Sequence, residues 1–358
     1  MKDTNTKLDT LSVIILCVSA IVILFSFFAP IIFIHDSIFG LDFNKTGAIG
    51  DTIGGIMNPF IAISGVFLTF LAFYIQFKAN RLQRDLFRQE LDSNKFENQF
   101  YEMLRLHKEN VNELSITLKS SYYSGKETVK YESLVTGRDV FRYFLHELKI
   151  SYYVARHIYS DKQPDVWLNK AYHIFFHGLD IEKQRNLKSP EAKLDYEYDL
   201  ALAKIEDGNF KGSTPFNNEI IKYGLRIEWL KYDLFRGHSS LLAHYYRHLF
   251  QTVKFIVKKD EDFITYSDKR NYLRILRAQL SNHEQAMLFY NWKSGFGFSW
   301  ENGTNKFFTD YRMIHNIYND LLINDFDLTE IFKLNNEPYY MTEKDREKDS
   351  LFEFQDWE

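Results

Sequence analysis

Two long uncharged apolar stretches, Leu11 to Ile34 and Thr52 to Phe77, open the chain, separated by a short polar segment. At about 1.5 Å per residue, each is long enough to cross a hydrocarbon core of about 30 Å. Lipid offers no partners to backbone amides, so both stretches are predicted as membrane helices, with Pro30 near the end of the first and Pro59 near the start of the second. From Phe60 to Leu118 the only helix-weakening residue is Gly65, so the second span is expected to continue as a charged helical stalk. Its first part offers a sparse seam of Leu82, Leu86, Phe87 and Leu91, suited to a loose coiled coil or a solvated rod. Beyond it, Phe96, Phe100, Met103, Leu104, His107, Val111 and Leu114 recur at helical spacing and form one face that requires a packing partner.

Downstream, the periodicity predicts helices from Gly137 to about Gln163, Asp165 to Gly178, Pro190 to Glu206, Glu219 to Leu234, Ser239 to Lys258, Ser267 to Asn291 and Thr309 to Leu322. Residues 120–130 and 206–218 read as polar loops. The acidic composition after Glu337 predicts disorder as far as Asp349. Leu351, Phe352, Phe354 and Trp357 then make the terminus either a docking peptide or a frayed end. The expected architecture is all-α: an anchor over residues 1–77, a stalk over 78–118, a helical cytoplasmic domain over 119–336 and a tail over 337–358.

Charge fixes the expected orientation. Lys2 and Lys7 precede the first span and Lys78, Arg81, Arg84 and Arg88 follow the second, whereas the connecting segment carries Lys45 beside Asp36, Asp42 and Asp51. The positive-inside rule then puts both termini in the cytoplasm. Basic and acidic residues nearly balance, at 44 against 48, so the sequence carries no strong nucleic-acid signal. The single cysteine, Cys17, excludes an intrachain disulfide and a cysteine-based zinc site. With 33 Phe and 23 Tyr against only 6 Pro, the composition suits helices packed through bulky rings. No fixed repeat or phosphate-binding glycine loop is present. At the entry to the second span, Gly50, Asp51, Gly54, Gly55, Asn58 and Pro59 are read first as a close-packing surface and second as a moving gate.

The segments LAHYYRHLFQTVKFI (242–256) and YLRILRAQLSNHEQAMLFYN (272–291), with the glycine-rich span entry, the FENQFYEMLRLH stalk and the GRDVF helix start, resemble the phage abortive infection family of the AbiC type. The resemblance implies bacterial antiviral defence from the inner membrane, with a two-span anchor and a helical cytoplasmic domain. Its motif positions fall on Gly137, Arg138 and Phe141; on His244, Tyr245, Arg247, His248 and Leu249; and on Arg277, Gln279, Leu280, Ser281, Glu284, Tyr290 and Asn291. Tyr246 departs from the phenylalanine expected there.

These residues support two chemistries. In one, Arg247 pairs with Glu284 as a structural clasp flanked by His248 and Gln279. In the other, the same face, with His244, Tyr245, Ser281 and Asn291, senses a ligand, because a guanidinium grips phosphate in a fork and imidazoles donate to it. A runner-up makes the chain a tethered ribonuclease: Arg277 and His283 stand at the spacing of the HEPN motif, with the His as acid or base and the Arg stabilising phosphorane charge. A third reading is a membrane scaffold that blocks phage entry or assembly. The pairs His173/His177 and His244/His248 lack the glutamate of HExxH, so no metal and no cofactor is expected. The expected partners are the bilayer, a second copy of the chain, since two spans cannot enclose a pore, and a phage protein or infection-derived ligand.

Overall fold

The computed structural model describes residues 10–34, 49–123, 128–179, 189–206, 220–227, 230–334 and 350–356. The polar loop expected at 206–218, the acidic tail up to Asp349 and Trp357 fall essentially outside them. The chain divides into two compact units, Met1–Glu97 and Asn98–Glu358.

The first unit holds α1 (Thr10–Ile34) and most of α2, a single helix running Ile49–Glu113 with Pro59 inside it. Both helices are long and apolar enough to cross a membrane. Large side chains such as Phe27, Ile31, Val66, Phe73 and Phe77 are exposed, while most of the buried positions are small, Ser12, Ser19, Ser26 and Ala29 on α1 and Ser64 on α2, with Leu71 and Phe96 of α2 the large ones. Serines seven residues apart fall on one helix face. Ser19 and Ser26 donate to Ile15 O and Ile23 O, and Ser64 to Phe60 O, so burial leaves no hydroxyl unsatisfied. Phe25 meets Phe60 edge-on at 5.2 Å. Among the described residues, a Cβ on Gly54 or Gly55 would meet nothing within 4 Å.

The second unit is helical apart from one antiparallel hairpin, β1 (Ser115–Tyr123) paired with β2 (Thr128–Thr136) in a register that sets Ser115 opposite Thr136. This corrects both the expected helix to Leu118 and the loop at 120–130. Ile116, Thr117, Val129, Tyr131 and Val135 are β-branched or aromatic, and their strand preference wins once α2 ends at Glu113. Gly137, at φ +67, turns the chain into α3 and donates its N–H to Leu114 O at 2.9 Å.

α3 (Asp139–Ile158) is the central helix, buried from Val140 through Ala155 except at a few positions, and it packs against α4 (Pro164–His177), α5 (Pro190–Glu206) and α8 (Asn282–Lys293). α6 (Ser239–Val257) and α7 (Tyr266–Arg277) complete the layer. Rings fill the interior; Tyr152, for example, meets Trp167 and Phe326 edge-on.

Three expected helices are corrected. The helix over Glu219–Leu234 stops almost at once, because Gly224 adopts φ +71 and Leu225 N–H closes back on Ile220 O. The single helix over Ser267–Asn291 breaks at residues 278–281, where Ser281 caps a new helix. The helix over Thr309–Leu322 is a chain of turns with only a 3-10 segment at Asn319–Leu321, since Arg312 takes φ +59. A single turn, α9 (Leu328–Ile331), follows.

The terminus docks on its own domain. Leu351 and Phe352 are fully buried, Arg312 Nε donates to Ser350 O, and Glu353 N–H donates to His315 O at 2.8 Å.

Between α4 and α6 two backbones cross at Gly178 (φ +89) and Gly237 (φ +84), where His238 N–H bonds Phe175 O and Leu179 N–H bonds Phe235 O. A Cβ on Gly237 would lie 2.5 Å from the carbonyl carbon of His177. Gly237→Ala is expected to cost at least about 2 kcal/mol, whereas Gly303→Ala, with open space around it, leaves stability unchanged; thermal unfolding of the detergent-solubilised protein compares them.

Candidate functional site

The last turns of α2 turn one face into the second unit. Phe100, His107, Val111 and Leu114 are all buried along it, at the spacing of a helical stripe. His107 sits 5.5 Å, ring to ring, from Tyr245 on α6 and lies nearly parallel to His248 at 6.3 Å. Neither ring nitrogen of His107 or of His248 has a hydrogen-bond partner, although all four atoms are buried. Burial, helped by His248 and by the charge of Arg138, pushes His107 down to about 4. His248 is lowered by burial and by His244. Both imidazoles are therefore neutral at pH 7, each with one donor and one acceptor.

Below this pair lies Glu284, which is completely buried. Ser281 and Glu284 form a capping box: the serine hydroxyl accepts from Glu284 N–H, and Glu284 Oε2 accepts from Ser281 N–H at 2.7 Å. Tyr245 OH donates to Glu284 Oε1 at 3.2 Å. Burial raises the Glu284 pKa, against the opposing pull of Ser281, Arg138 and Tyr245.

The cation facing Glu284 is Arg138, with Nε 3.8 Å from Oε2 and Nη2 donating to Gln279 O at 2.6 Å. This corrects the expected Arg247 clasp. Arg247 and His244 are exposed on the opposite side of α6 from Tyr245, and His248 is half-buried. Asn291, at the far end of α8, is buried and donates to Tyr172 OH at 2.9 Å, apart from this cluster. Of the predicted set, Tyr245, His248, Gln279, Ser281 and Glu284 thus converge, while His244, Arg247 and Asn291 do not.

Above the clasp opens a groove of about 440 Å³, walled by His107, Lys108, Asn112, Thr136, Arg138 and Gln279. Here the sequence reading missed the main contributors. By spacing alone His107 belongs to an apolar stripe and Arg138 to a motif. The available signal was a histidine in an otherwise apolar register beside Lys108 and Asn112.

The proposed HEPN pair falls in two settings. Arg277 Nη1 donates to Arg312 O at 3.1 Å, whereas His283, in the first turn of α8, is lowered by burial and by Arg142 and Lys149 of α3. His173 and His177 pair ring to ring at 4.9 Å on an exposed face. Among the described residues, no group of three or more potential metal ligands occurs. The gate candidates Gly50 to Pro59 occupy the first turns of α2, in the other unit.

A second buried polar cluster was not anticipated. Glu147 of α3 accepts from Phe235 N–H at 3.0 Å and from the Tyr232 hydroxyl, and meets His238 Nε2 at 3.0 Å. It fastens the 230–238 segment beside the glycine crossing.

The depressed His107 pKa gives a signed expectation. The unfolded chain takes up the proton near pH 6.5 and the folded chain only near 4, so stability contributed by the neutral ring is full above 6.5 and lost as pH falls. Around the ring stand His248 and Tyr245 of α6 and Arg138 at the start of α3. Between these pH values the wild type should lose on the order of 3 kcal/mol more than His107→Phe, measured as the difference between their unfolding curves at stepped pH.

No curated protein and no solved structure matches the chain. Residues 237–321, which carry Tyr245, His248, Ser281 and Glu284, match the family model described as "Putative phage abortive infection protein".

Proposed function

We propose that this chain is a bacterial antiphage protein acting by abortive infection, anchored in the inner membrane by α1 and the first part of α2, with both termini cytoplasmic. Its helical domain reads an infection signal at the His107 groove and passes the change to the membrane along α2. The observation that carries this reading is the continuity of α2. One helix, Ile49–Glu113, contains the second apolar span and also delivers His107, Lys108 and Asn112 to the groove. A side chain that moves at its end acts on the same rod that crosses the bilayer.

Orientation is supported by the lysines and arginines flanking the two spans. The defence role is supported by the family match over residues 237–321. Leu82, Leu86, Phe87 and Leu91 are exposed along α2, which favours pairing with a second copy, and permeabilising a bilayer with two helices per chain requires such assembly.

Membrane potential in infected cells tests the mechanism, at a phage dose that reaches every cell. Cells carrying the protein should depolarise well before lysis, and Arg138→Ala, expressed to the same level, should hold its potential. Potential that persists in the wild type while phage production falls would overturn the membrane step.

A further inference from the structure

We infer that the groove at the end of α2 is a binding site for a small phosphate-bearing ligand. The inference deepens the proposed function by naming what the groove reads, and it rests on that reading only for its biological role.

The first argument is an unmet demand. His107 is 1 % exposed, it lines the groove, and neither of its ring nitrogens has a partner. Buried polar atoms in folded proteins are nearly always satisfied, and an unsatisfied one costs about 1–3 kcal/mol. His248, stacked behind it, has the same deficit. The His107 imidazole, in the groove wall and neutral, fits a ligand that offers an acceptor or a donor, with the second unsatisfied ring of His248 directly behind it.

The second argument is the charge around that demand. Arg138 is half-exposed, and its distance of 3.8 Å from Glu284 is longer than a hydrogen-bonded pair. One face of the guanidinium therefore remains available to the groove. Lys108 follows His107 on α2 and is exposed. The 20-residue helix α3 begins at Asp139, and its N-cap, Arg138, supplies no side-chain cap. Of its first-turn N–H groups, those of Val140 and Phe141 already bond Gly137 O and Arg138 O at 3.2 Å, so the start of α3 contributes the positive end of its dipole at the groove wall. Asp139 is the opposing charge at the rim. It restricts the site to an anion with enough oxygens to engage Arg138, Lys108 and the helix start together, which a phosphate provides and a single carboxylate does not. Asn112, Thr136 and Gln279 add neutral hydrogen-bonding groups for the rest of the molecule. A volume of about 440 Å³ suits a small metabolite. The phosphate itself belongs either to a soluble molecule or to a lipid headgroup, and the experiment separates these sources.

Full-length protein in phospholipid-free detergent micelles is titrated calorimetrically with inorganic phosphate, pyrophosphate and adenosine monophosphate, then reconstituted in nanodiscs with and without phosphatidic acid. At least one soluble probe should bind saturably, and Lys108→Glu and Arg138→Gln should each weaken it by about ten-fold or more while the thermal midpoint of Lys108→Glu stays within a few degrees of wild type. Binding seen only with phosphatidic acid, and lost in Lys108→Glu, supports the same site with a lipid source. Absence of saturable binding to any probe, or binding that neither variant changes, overturns the site. If Lys108→Glu abolishes binding yet infected cells still depolarise, the membrane mechanism stands and this ligand is not its trigger. Binding intact in a wild type that never depolarises leaves the site and removes the mechanism.

Discussion

Glu284 is the residue on which the second unit's geometry turns. A carboxylate removed from water is tolerated only when its oxygens are engaged, and each partner of Glu284 comes from a different part of the chain. Ser281 N–H fixes the start of α8, Tyr245 OH brings α6 against it, and Arg138 brings the start of α3. Because Gly137 delivers Arg138 from the hairpin and its N–H bonds Leu114 O, the end of α2 is drawn into the same arrangement. The groove at His107 exists because these elements meet at one buried charge.

Much of this was legible in the chain. Spans, stalk and the helices at Pro190–Glu206 and Ser239–Val257 follow from unbroken apolar periodicity. The Ser-x-x-Glu at 281–284 is a capping-box signature, so the break between α7 and α8 was readable; it was passed over because the periodicity runs through residues 278–281 without a proline or glycine. The hairpin was hidden for a related reason, since nothing but side-chain branching marks the change at Ser115. The docked terminus was visible only as stickiness in Leu351 and Phe352. What lay beyond sequence logic was pairing at long range. Sequence spacing offers Arg247 to Glu284, and only the folded geometry sets half-exposed Arg138 against that carboxylate and leaves Arg247 on the surface.

Glu147 and Glu284, two of the buried carboxylates of the second unit, have different consequences. Glu147 is enclosed by Tyr232, Phe235 N–H and His238, next to backbones that cross too closely at Gly178 and Gly237 to admit a side chain. That corner has a neutralising hydrogen-bond set and no slack. Glu284 has a looser arrangement, with its cation half-exposed and at 3.8 Å. The first is suited to holding α3 and the 230–238 segment in place, and the second to responding.

This difference bears on how a signal at the groove reaches the core. In the proposed reading, an anion that draws Arg138 toward the groove removes the cation that faces Glu284 among the described residues and leaves the carboxylate with hydrogen-bond donors. Its pKa, already raised by burial, moves further in the same direction, and the hydrogen bond it accepts from Tyr245 is the contact that feels the change. Tyr245 packs against His107, so the adjustment is felt at the face of α2. Under the proposal, occupancy of the groove and the position of the helix end are thus linked through one side chain, and a ligand that engaged the rim without competing for Arg138 would bind without moving it.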